Sequence, residues 1–284
     1  MMRSARPLAF VVALVLLLSE AVSHTAATPG MVYVAVSRDN RPVVGLSAAD
    51  FIIQAGGTNE PVLSAEPAAD PISLLLFVQT RPDDTSLARA ALRSLLDLVR
   101  QMNPQARVAL SNGPATPPFL SVTAQAEMLN RTIGVLYAEP DLGSLVERLP
   151  ELTRHLSEEP SRRRIILAIT PPGFTHGLRL TPDTGPDLQK CGCQLWGIEV
   201  GQVGGTVLDH DAVYSDLIEQ SGGREAIVYG APLLDVTLRQ VATLMLSQYR
   251  VTYQHPDSNK PLTLRVGVRG QKGVQVYAPG WTVD

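Results

Sequence analysis

The middle of the chain alternates short apolar runs with stretches of helical periodicity. Residues 72–78, 164–169 and 194–200 are almost continuously apolar, which is typical of strands buried on both faces of a parallel sheet. Apolar residues recur at helical spacing in five other segments, at 86–102, 124–136, 142–156, 211–220 and 233–247. We therefore expect an α/β fold with a doubly wound, mostly parallel sheet over 70–248.

Two parts of this region interrupt the pattern. Pro150 lies inside the segment 142–156, where a proline is expected to kink or split the helix. The segment 170–189 is rich in proline and glycine and is interpreted as a loop.

Both ends of the chain instead show the alternation of half-buried strands. Short alternating segments occur within 31–66 and again within 249–284, and the stretch 62–71, rich in proline and alanine, is interpreted as a connector. Neither end has enough apolar residues to bury a core alone. We expect the C-terminal segment to pack with the N-terminal one in a single small β unit.

The N-terminus has the layout of a secretory signal peptide. Arg3 and Arg6 precede an apolar run of 11 residues, Leu8–Leu18, and small residues follow at Ala21 and Ser23. The run is shorter than the roughly 20 residues that span a bilayer. We expect a signal peptide at 1–23, a linker at 24–30, and a secreted or periplasmic protein; an uncleaved signal segment would be the only membrane contact.

Charge and aromatic content exclude one class of partner. The formal net charge is −3 and aromatic residues make up 5% of the chain, so a nucleic-acid surface is not expected. The one basic cluster, Arg162–Arg164, leads into the apolar run 164–169 and is interpreted as a solvated strand entry. The alternative is a partner-facing patch beside Arg81.

Motifs near both ends resemble a known family. The N-terminal part carries the turn Asp39–Val43, then Gly45-Leu46 and Asp50-Phe51, and the last helix leads into Tyr249–Tyr253. In these features the chain resembles the von Willebrand factor A-like family over roughly 31–281, in particular a branch of exported bacterial proteins of acidobacterial type. The resemblance implies an interaction domain that holds Mg²⁺ at the carboxyl edge of the parallel sheet. In the family the ligands are an Asp-x-Ser-x-Ser motif, a threonine and a second aspartate.

The chain departs from that ligand set in every loop. Gln79 stands where the family has its first aspartate, and Arg81 and Asp83 replace the serines. The second loop offers Asp141 but no threonine, and Pro171 follows the central strand. Because the guanidinium of Arg81 would repel a cation, we expect a degenerate metal-ion-dependent adhesion site with no bound metal and no other cofactor.

Two interpretations are open for the acidic residues near this edge. Asp83, Asp84, Glu139 and Asp141 could form an unconventional Mg²⁺ or Ca²⁺ site, but capping of two helices is the favoured explanation. In either case Arg81, Asp83, Asp84 and Asp141 form a candidate partner-binding edge.

The pair Cys191-Gly192-Cys193 is the other unusual feature. It could be a redox dithiol or half of a metal site completed by His176 and His210. Alternatively, the two thiols simply enter a buried strand or form a local disulfide. The chain has no nucleophile elbow, phosphate loop or zinc-protease motif.

Together, these observations favour an exported interaction or scaffold module that binds a protein partner, needs no metal and is not an enzyme. Three alternatives remain: a thiol-dependent redox or metal-binding exported protein that uses Cys191 and Cys193, a cation-dependent adhesion module, and a stress-bearing subunit in which the domain is only a scaffold.

Overall fold

The computed structural model describes residues 29–113, 117–136, 145–171, 184–201, 212–256, 258 and 260–282. The expected signal peptide, residues 1–23, lies outside them, and so do residues 24–28 of the expected linker. The strands are β1 Pro29–Arg38, β2 Arg41–Pro42, β3 Phe51–Ala55, β4 Thr58–Glu60, β5 Val62–Pro67, β6 Ile72–Val78, β7 Arg107–Ser111, β8 Leu120–Ser121, β9 Arg163–Thr170, β10 Cys193–Gly201, β11 Glu225–Tyr229, β12 Tyr249–Gln254, β13 Leu264–Val268 and β14 Gln275–Tyr277. The helices are α1 Thr85–Met102, α2 Ala126–Gly134, α3 Leu145–Ser157, α4 Thr184–Cys191, α5 Ala212–Ser221 and α6 Leu234–Leu246.

A six-stranded sheet forms the centre of the α/β fold, in the order β11-β10-β9-β6-β7-β8. Its pairings are parallel except that β7 and β8 are antiparallel. After β6, the chain forms β7 and β8 on one side of that strand. It then returns and forms β9, β10 and β11 on the other side. The order of the strands therefore reverses between β6 and β9.

Helices cover both faces of this sheet. The side chains on both faces of its central strands are therefore buried, and they are apolar. Leu74 and Leu76 of β6 pack in one core with residues of α1, α2 and α6. Leu75 and Phe77 pack in a second core with residues of α3, α4 and α5. Among the described residues, no helix is long and apolar enough to cross a membrane.

The two ends of the chain pair with one another in two antiparallel sheets. One has the order β14-β1-β12-β5, with β2 beside β1, and the other has the order β13-β3-β4. Both sheets contribute to one core, in which Phe51 packs edge-on against Tyr249 with ring centroids 5.4 Å apart. The Tyr249 hydroxyl donates to the Val43 carbonyl oxygen and accepts the Leu46 N–H, each at 3.0 Å. The N-terminal turn and the tyrosine-bearing strand thus hold each other in place.

The fold as a whole is mixed rather than mostly parallel. Seven of the eleven strand pairings in the described residues are antiparallel, and the four parallel ones all belong to the central sheet. The expected parallel arrangement therefore applies to the central sheet only. The alternating terminal segments account for most of the antiparallel pairs.

Two local expectations were wrong, and a third was wrong in part. The expected connector 62–71 contains β5, an edge strand that pairs with β12 and tolerates a proline at its end. The expected loop 170–189 contains the start of α4, which buries Leu188. Pro150 does not split α3, which is one helix from Leu145 to Ser157 with its leucines buried in the core, and the alternative of a kink at Pro150 stays a prediction.

The arginine triplet is not a solvated strand entry. Arg163 is 1% exposed, and its guanidinium donates to the carbonyl oxygens of Ala68, Met245 and Leu246 at 3.1, 2.8 and 3.0 Å. Its Nε donates to the Gln248 side chain at 3.0 Å. Arg163 therefore anchors the end of α6 to the start of β9, although its neighbour Arg162 is exposed.

Candidate functional site

The topology of the central sheet indicates where a ligand would bind. In open α/β sheets, ligands bind beyond the carboxyl ends of the strands, at the point where the strand order reverses. Here that point lies between β6, which ends at Val78, and β9, which ends at Thr170. The segments that follow these two strands contain Gln79, Arg81 and Pro171.

The chain leaves β6 through a short, well-bonded turn. The Gln79 N–H donates to the Ile169 carbonyl oxygen at 2.9 Å, which continues the pairing with β9 for one residue. Arg81 is extended and precedes a 3-10 turn at Pro82–Asp84 that begins with the proline. The Arg81 carbonyl oxygen accepts the Asp84 N–H at 3.1 Å and the Thr85 hydroxyl at 3.0 Å. This turn fixes the direction in which the Arg81 side chain leaves the backbone.

The Arg81 guanidinium lies across the carboxyl edge of the sheet. Its Nε is 2.9 Å from Oδ2 of Asp84, and its Nη2 donates to the Val200 carbonyl oxygen at 3.0 Å. The two side chains are partly exposed, at 27% for Arg81 and 22% for Asp84. Val200 is the penultimate residue of β10, so the arginine links the end of β6 to the end of β10.

A divalent cation does not fit this arrangement of the described residues. The cavity beside Arg81, which Gln79, Asp84 and Pro171 also line, has a volume of only about 10 Å³. A cavity of that size holds at most one water molecule. The Asp84 carboxylate is already paired with a fixed positive charge. No group of three or more His, Cys, Asp or Glu side chains is close enough to hold a metal in the part of the chain that the structure describes.

The structure brings together four of the residues singled out from the sequence: Gln79, Arg81, Asp84 and Pro171 line the same cavity. Asp83 is exposed and does not line it. Glu139 and Asp141 lie outside the described residues. The candidate partner-binding edge is therefore described for Arg81, Asp83 and Asp84 only.

The expected capping role of the acidic pair is wrong in one respect. Asp84 occupies the N-cap position of α1, but its side chain makes no capping hydrogen bond and binds Arg81 instead. Asp83 lies in the first turn of the 3-10 segment, whose N-cap residue is Arg81. Their negative charges still lie at the N-terminal end of α1, where the helix dipole favours them.

Sequence reasoning missed the backbone acceptor of this site. The carbonyl oxygen of Val200 lies 119 residues from Arg81 in the chain. Every residue has such an oxygen, so nothing in the sequence singles out this one. The strand order, however, places β10 next to β9, so the carboxyl end of β10 lies beside the carboxyl ends of β6 and β9.

A tyrosine is buried on the face of the central sheet that α3, α4 and α5 cover. Tyr214 of α5 is 1% exposed and packs over Gly197 of β10. Burial raises the pKa of its hydroxyl well above the ordinary value, and the charges of Glu225 and Glu199 act in the same direction. This hydroxyl therefore stays protonated, and it belongs to the α5 packing rather than to the Arg81 edge.

The two cysteines form a disulfide in this structure. Cys191 ends α4 and Cys193 begins β10, with Cα atoms 5.1 Å apart and Gly192 between them at φ 64°. Both are buried in the core on the α3, α4 and α5 face. A disulfide offers no thiolate to a metal, and His176 and His210 lie outside the described residues.

The alternative interpretation of the arginine triplet is also wrong. Arg162, Arg163 and Arg164 lie at the start of β9, whereas Arg81 lies beyond the end of β6, which runs parallel to β9. The triplet and Arg81 are therefore at opposite ends of the central sheet. They cannot form one patch.

Comparisons with known proteins give structural likeness only. No family model matches the sequence, and no curated protein matches it. Solved structures with a similar fold include a mutant of the PilB minor pilin of Streptococcus sanguinis, with 11% identity and a TM-score of 0.46 over 62% of this chain and 61% of that one. They also include a von Willebrand factor type A protein of Catenulispora acidiphila, with 10% identity and a TM-score of 0.45 over 92% and 75%. A third, the conserved hypothetical protein BatB of Bacteroides thetaiotaomicron, has 14% identity and a TM-score of 0.41 over 62% and 98%.

The chain thus matches about three fifths of the length of the pilin. All three identities are below 15% and all three scores are below 0.5, so the likeness carries no argument about function.

Proposed function

We propose that this chain is an exported von Willebrand factor A-like interaction module, with a doubly wound central domain, whose carboxyl edge works without a metal ion. The observation that carries the proposal is the position of Arg81. Its guanidinium lies between the Asp84 carboxylate and the Val200 carbonyl oxygen at the β6–β9 edge. In the metal-dependent relatives implied by the sequence motifs, the positive charge at that edge is a cation; here a side chain supplies it.

Some N–H donors of Arg81 make no hydrogen bond within the described residues and are available to a partner. A guanidinium carries five N–H groups in a planar fork that fits a carboxylate with two parallel bonds. The hydrogen bonds within the described residues use its Nε and one N–H of Nη2. The remaining donors and the partial exposure of the side chain suit an acidic side chain of a protein partner. This chemistry needs no cofactor, no catalytic group and no nucleic acid.

The first test is metal dependence. We expect melting temperatures to be the same with 5 mM Mg²⁺, Mn²⁺ or Ca²⁺ and with a chelator. A ligand that binds only the folded state at 100 times its dissociation constant would add about 2.7 kcal/mol, which a melt detects readily. A metal-dependent rise that Asp83→Ala or Asp141→Ala abolishes would overturn the proposal and restore a cation-bridged adhesion mechanism.

The second test is partner capture from the native cell envelope. We expect wild-type protein to retain a partner with or without chelator, and Arg81→Met to lose it. Arg131→Met is the matched control, because Arg131 is an exposed arginine of α2 with an ion pair of the same kind, to Glu127. Equal capture by wild type and Arg81→Met would contradict the proposed role of the arginine. Absence of any partner would favour a scaffold role.

Export is a separate part of the proposal. It rests on the apolar run Leu8–Leu18 and the small residues that follow it. We expect N-terminal sequencing of envelope protein to begin near His24. A retained Met1 would instead mean that the segment anchors the protein.

A further inference from the structure

Strand β11 forms one edge of the central sheet. Its pairing partner in the described part of the chain is β10, which lies on its inner side. Two large apolar side chains of the strand are exposed, at 43% for Ile227 and 46% for Tyr229. An edge strand presents a row of backbone N–H and C=O groups to another strand, and an exposed apolar edge is a template for such pairing. The proposed function does not use this edge.

The hydrogen bonds to β10 show which backbone groups of β11 point outward. The Gly197 N–H of β10 donates to the Arg224 carbonyl oxygen at 3.0 Å, and the Gly230 N–H donates to the last carbonyl oxygen of β10 at 2.9 Å. Backbone groups alternate in direction along a strand, so those of Ile227 and Tyr229 point away from β10. Neither residue has a backbone hydrogen bond on that outer side within the described residues.

Two other edge strands carry protection that β11 lacks. β8, at the opposite edge of the central sheet, has two residues, and its Leu120 is buried. β5, at the edge of a terminal sheet, exposes Leu63 at 56%, but it carries the ion-paired Glu66 and ends at Pro67, which has no N–H to donate. Short strands, charges and prolines are the usual devices that prevent edge pairing. β11 has five residues, an unbroken register with β10 and one charged residue, Glu225, at its first position.

The sequence of β11 is complementary to a second copy of itself. In an antiparallel pair centred on Ile227, that residue faces its own copy, and the outward N–H and C=O groups of the two bind each other. Tyr229 then lies opposite Glu225 of the second copy, so a phenol lies beside a carboxylate. The two Glu225 residues are four positions apart along the pair, about 13 Å. A parallel pair in register would instead place these two carboxylates opposite each other, which is unfavourable.

We propose that a second copy of this chain pairs antiparallel with β11, so that two six-stranded central sheets join across a two-fold axis at Ile227. This contact uses the edge strand of each copy, and it therefore closes at two copies. The paired edge is five residues long, about 17 Å, which places it among small interfaces. We accordingly expect a reversible dimer with a dissociation constant of about 10 to 100 µM.

The first test is sedimentation velocity of the purified protein over a range of concentrations. We expect the weight-average sedimentation coefficient to rise from that of a monomer at about 1 µM towards that of a dimer at about 500 µM. A protein that is still monomeric at the upper concentration would overturn the proposal. Assembly beyond the dimer would also overturn it, because the two-fold contact closes at two copies.

The second test needs no variant. Amide hydrogen exchange should slow at Ile227 and Tyr229 when the protein concentration is raised over the same range, because their N–H groups become hydrogen-bonded across the two-fold axis. The amides of β5 serve as the control and should exchange at the same rate throughout. Dimerisation without slower exchange at Ile227 and Tyr229 would place the contact elsewhere and overturn the proposal.

Variants at the two-fold axis test the register. Ile227→Lys and Ile227→Glu should each weaken dimerisation about tenfold or more, because each places like charges opposite one another. An equimolar mixture of the two variants should restore the dimer, since a lysine then faces a glutamate. Both should fold, because Ile227 is exposed and belongs to none of the three buried cores, and unchanged melting temperatures would verify this.

Leu63→Lys is the matched control, because Leu63 is an exposed leucine of another edge strand. It should leave dimerisation unchanged. A mixture of Ile227→Lys and Ile227→Glu that stays monomeric would contradict the two-fold register. Weakening by Leu63→Lys as large as that by Ile227→Lys would contradict the position of the contact at β11.

Discussion

Nε of Arg163 donates to the side-chain oxygen of Gln248 at 3.0 Å, although 85 residues separate them in the chain. Gln248 in turn donates to Gln194 at 2.5 Å, and Gln194 donates to the Tyr33 carbonyl oxygen at 3.2 Å. This buried chain of bonds links β9 and β10 of the central sheet to β1 of the terminal strands. Burial lowers the pKa of Arg163 to about 10, so it is still charged at neutral pH.

Removing this guanidinium should be strongly destabilising. Arg163→Leu leaves four oxygens without their donor, including the last carbonyls of α6, in a place that water does not reach. Each buried polar group that is left without its partner costs about 1 to 3 kcal/mol. Urea unfolding should therefore show a loss of about 3 kcal/mol or more. Arg162→Leu is the control at the next residue, and a similar small loss for both variants would contradict the anchoring role.

Gly223 should not tolerate a side chain. A Cβ atom there would lie 1.7 Å from the carbonyl oxygen of Leu195 in β10, so the turn between α5 and β11 would have to move away from the sheet. Overpacking of this kind costs about 1 to 3 kcal/mol or more. Gly134→Ala is the matched control, because nothing lies within 4 Å of its Cβ position at the end of α2. Equal urea midpoints for the two variants would show that the turn is looser than described.

Tyr33 should make stability depend on pH in the alkaline range. Burial raises the pKa of its hydroxyl to about 12, and the charge of Asp70 and a hydrogen bond to it add to the effect. The folded state therefore holds this proton more tightly than the unfolded state, whose pKa is near 10. The associated stability is present below pH 10 and is lost as the pH rises towards 12.

Replacing Tyr33 with phenylalanine removes this contribution. At pH 9 this hydroxyl is protonated in both the folded and the unfolded state, so the stability of Tyr33→Phe relative to wild type at that pH is the reference. By pH 11.5 wild type should have lost stability relative to the variant. Urea unfolding at several pH values measures it, and a difference that stays constant from pH 9 to pH 11.5 would refute the assigned pKa shift.

Arg81 and Asp84 should be energetically coupled. Both side chains are less than a third exposed, so a double-mutant cycle of Arg81→Met and Asp84→Asn should give a coupling of about 0.5 to 1 kcal/mol. The exposed pair Arg131–Glu127, at 75% and 85% exposure, is the control and should give a smaller value. A coupling no larger than that of the control pair would mean that Arg81 is not held at the sheet edge.

Much of the fold could be predicted from the sequence because its signals are local. Continuous apolar runs at 72–78, 164–169 and 194–200 became β6, β9 and β10, since strands covered on both faces have no polar side. Helical spacing likewise located α1, α2, α3, α5 and α6. The alternation at the two ends indicated strands with one buried face. The replacement of oxygen ligands by Gln79, Arg81 and Pro171 is also a property of the sequence alone.

The tertiary structure alone decided what each polar side chain contacts. Three consecutive arginines look alike in the sequence, yet one is buried, one bonds to backbone carbonyls and one has no partner among the described residues. Arg81 and the Val200 carbonyl oxygen meet across 119 residues, and β5 is a strand only because β12 lies beside it. Periodicity records which face of an element is buried. It carries no information about which distant atom completes a hydrogen bond, because that depends on the order in which the strands assemble.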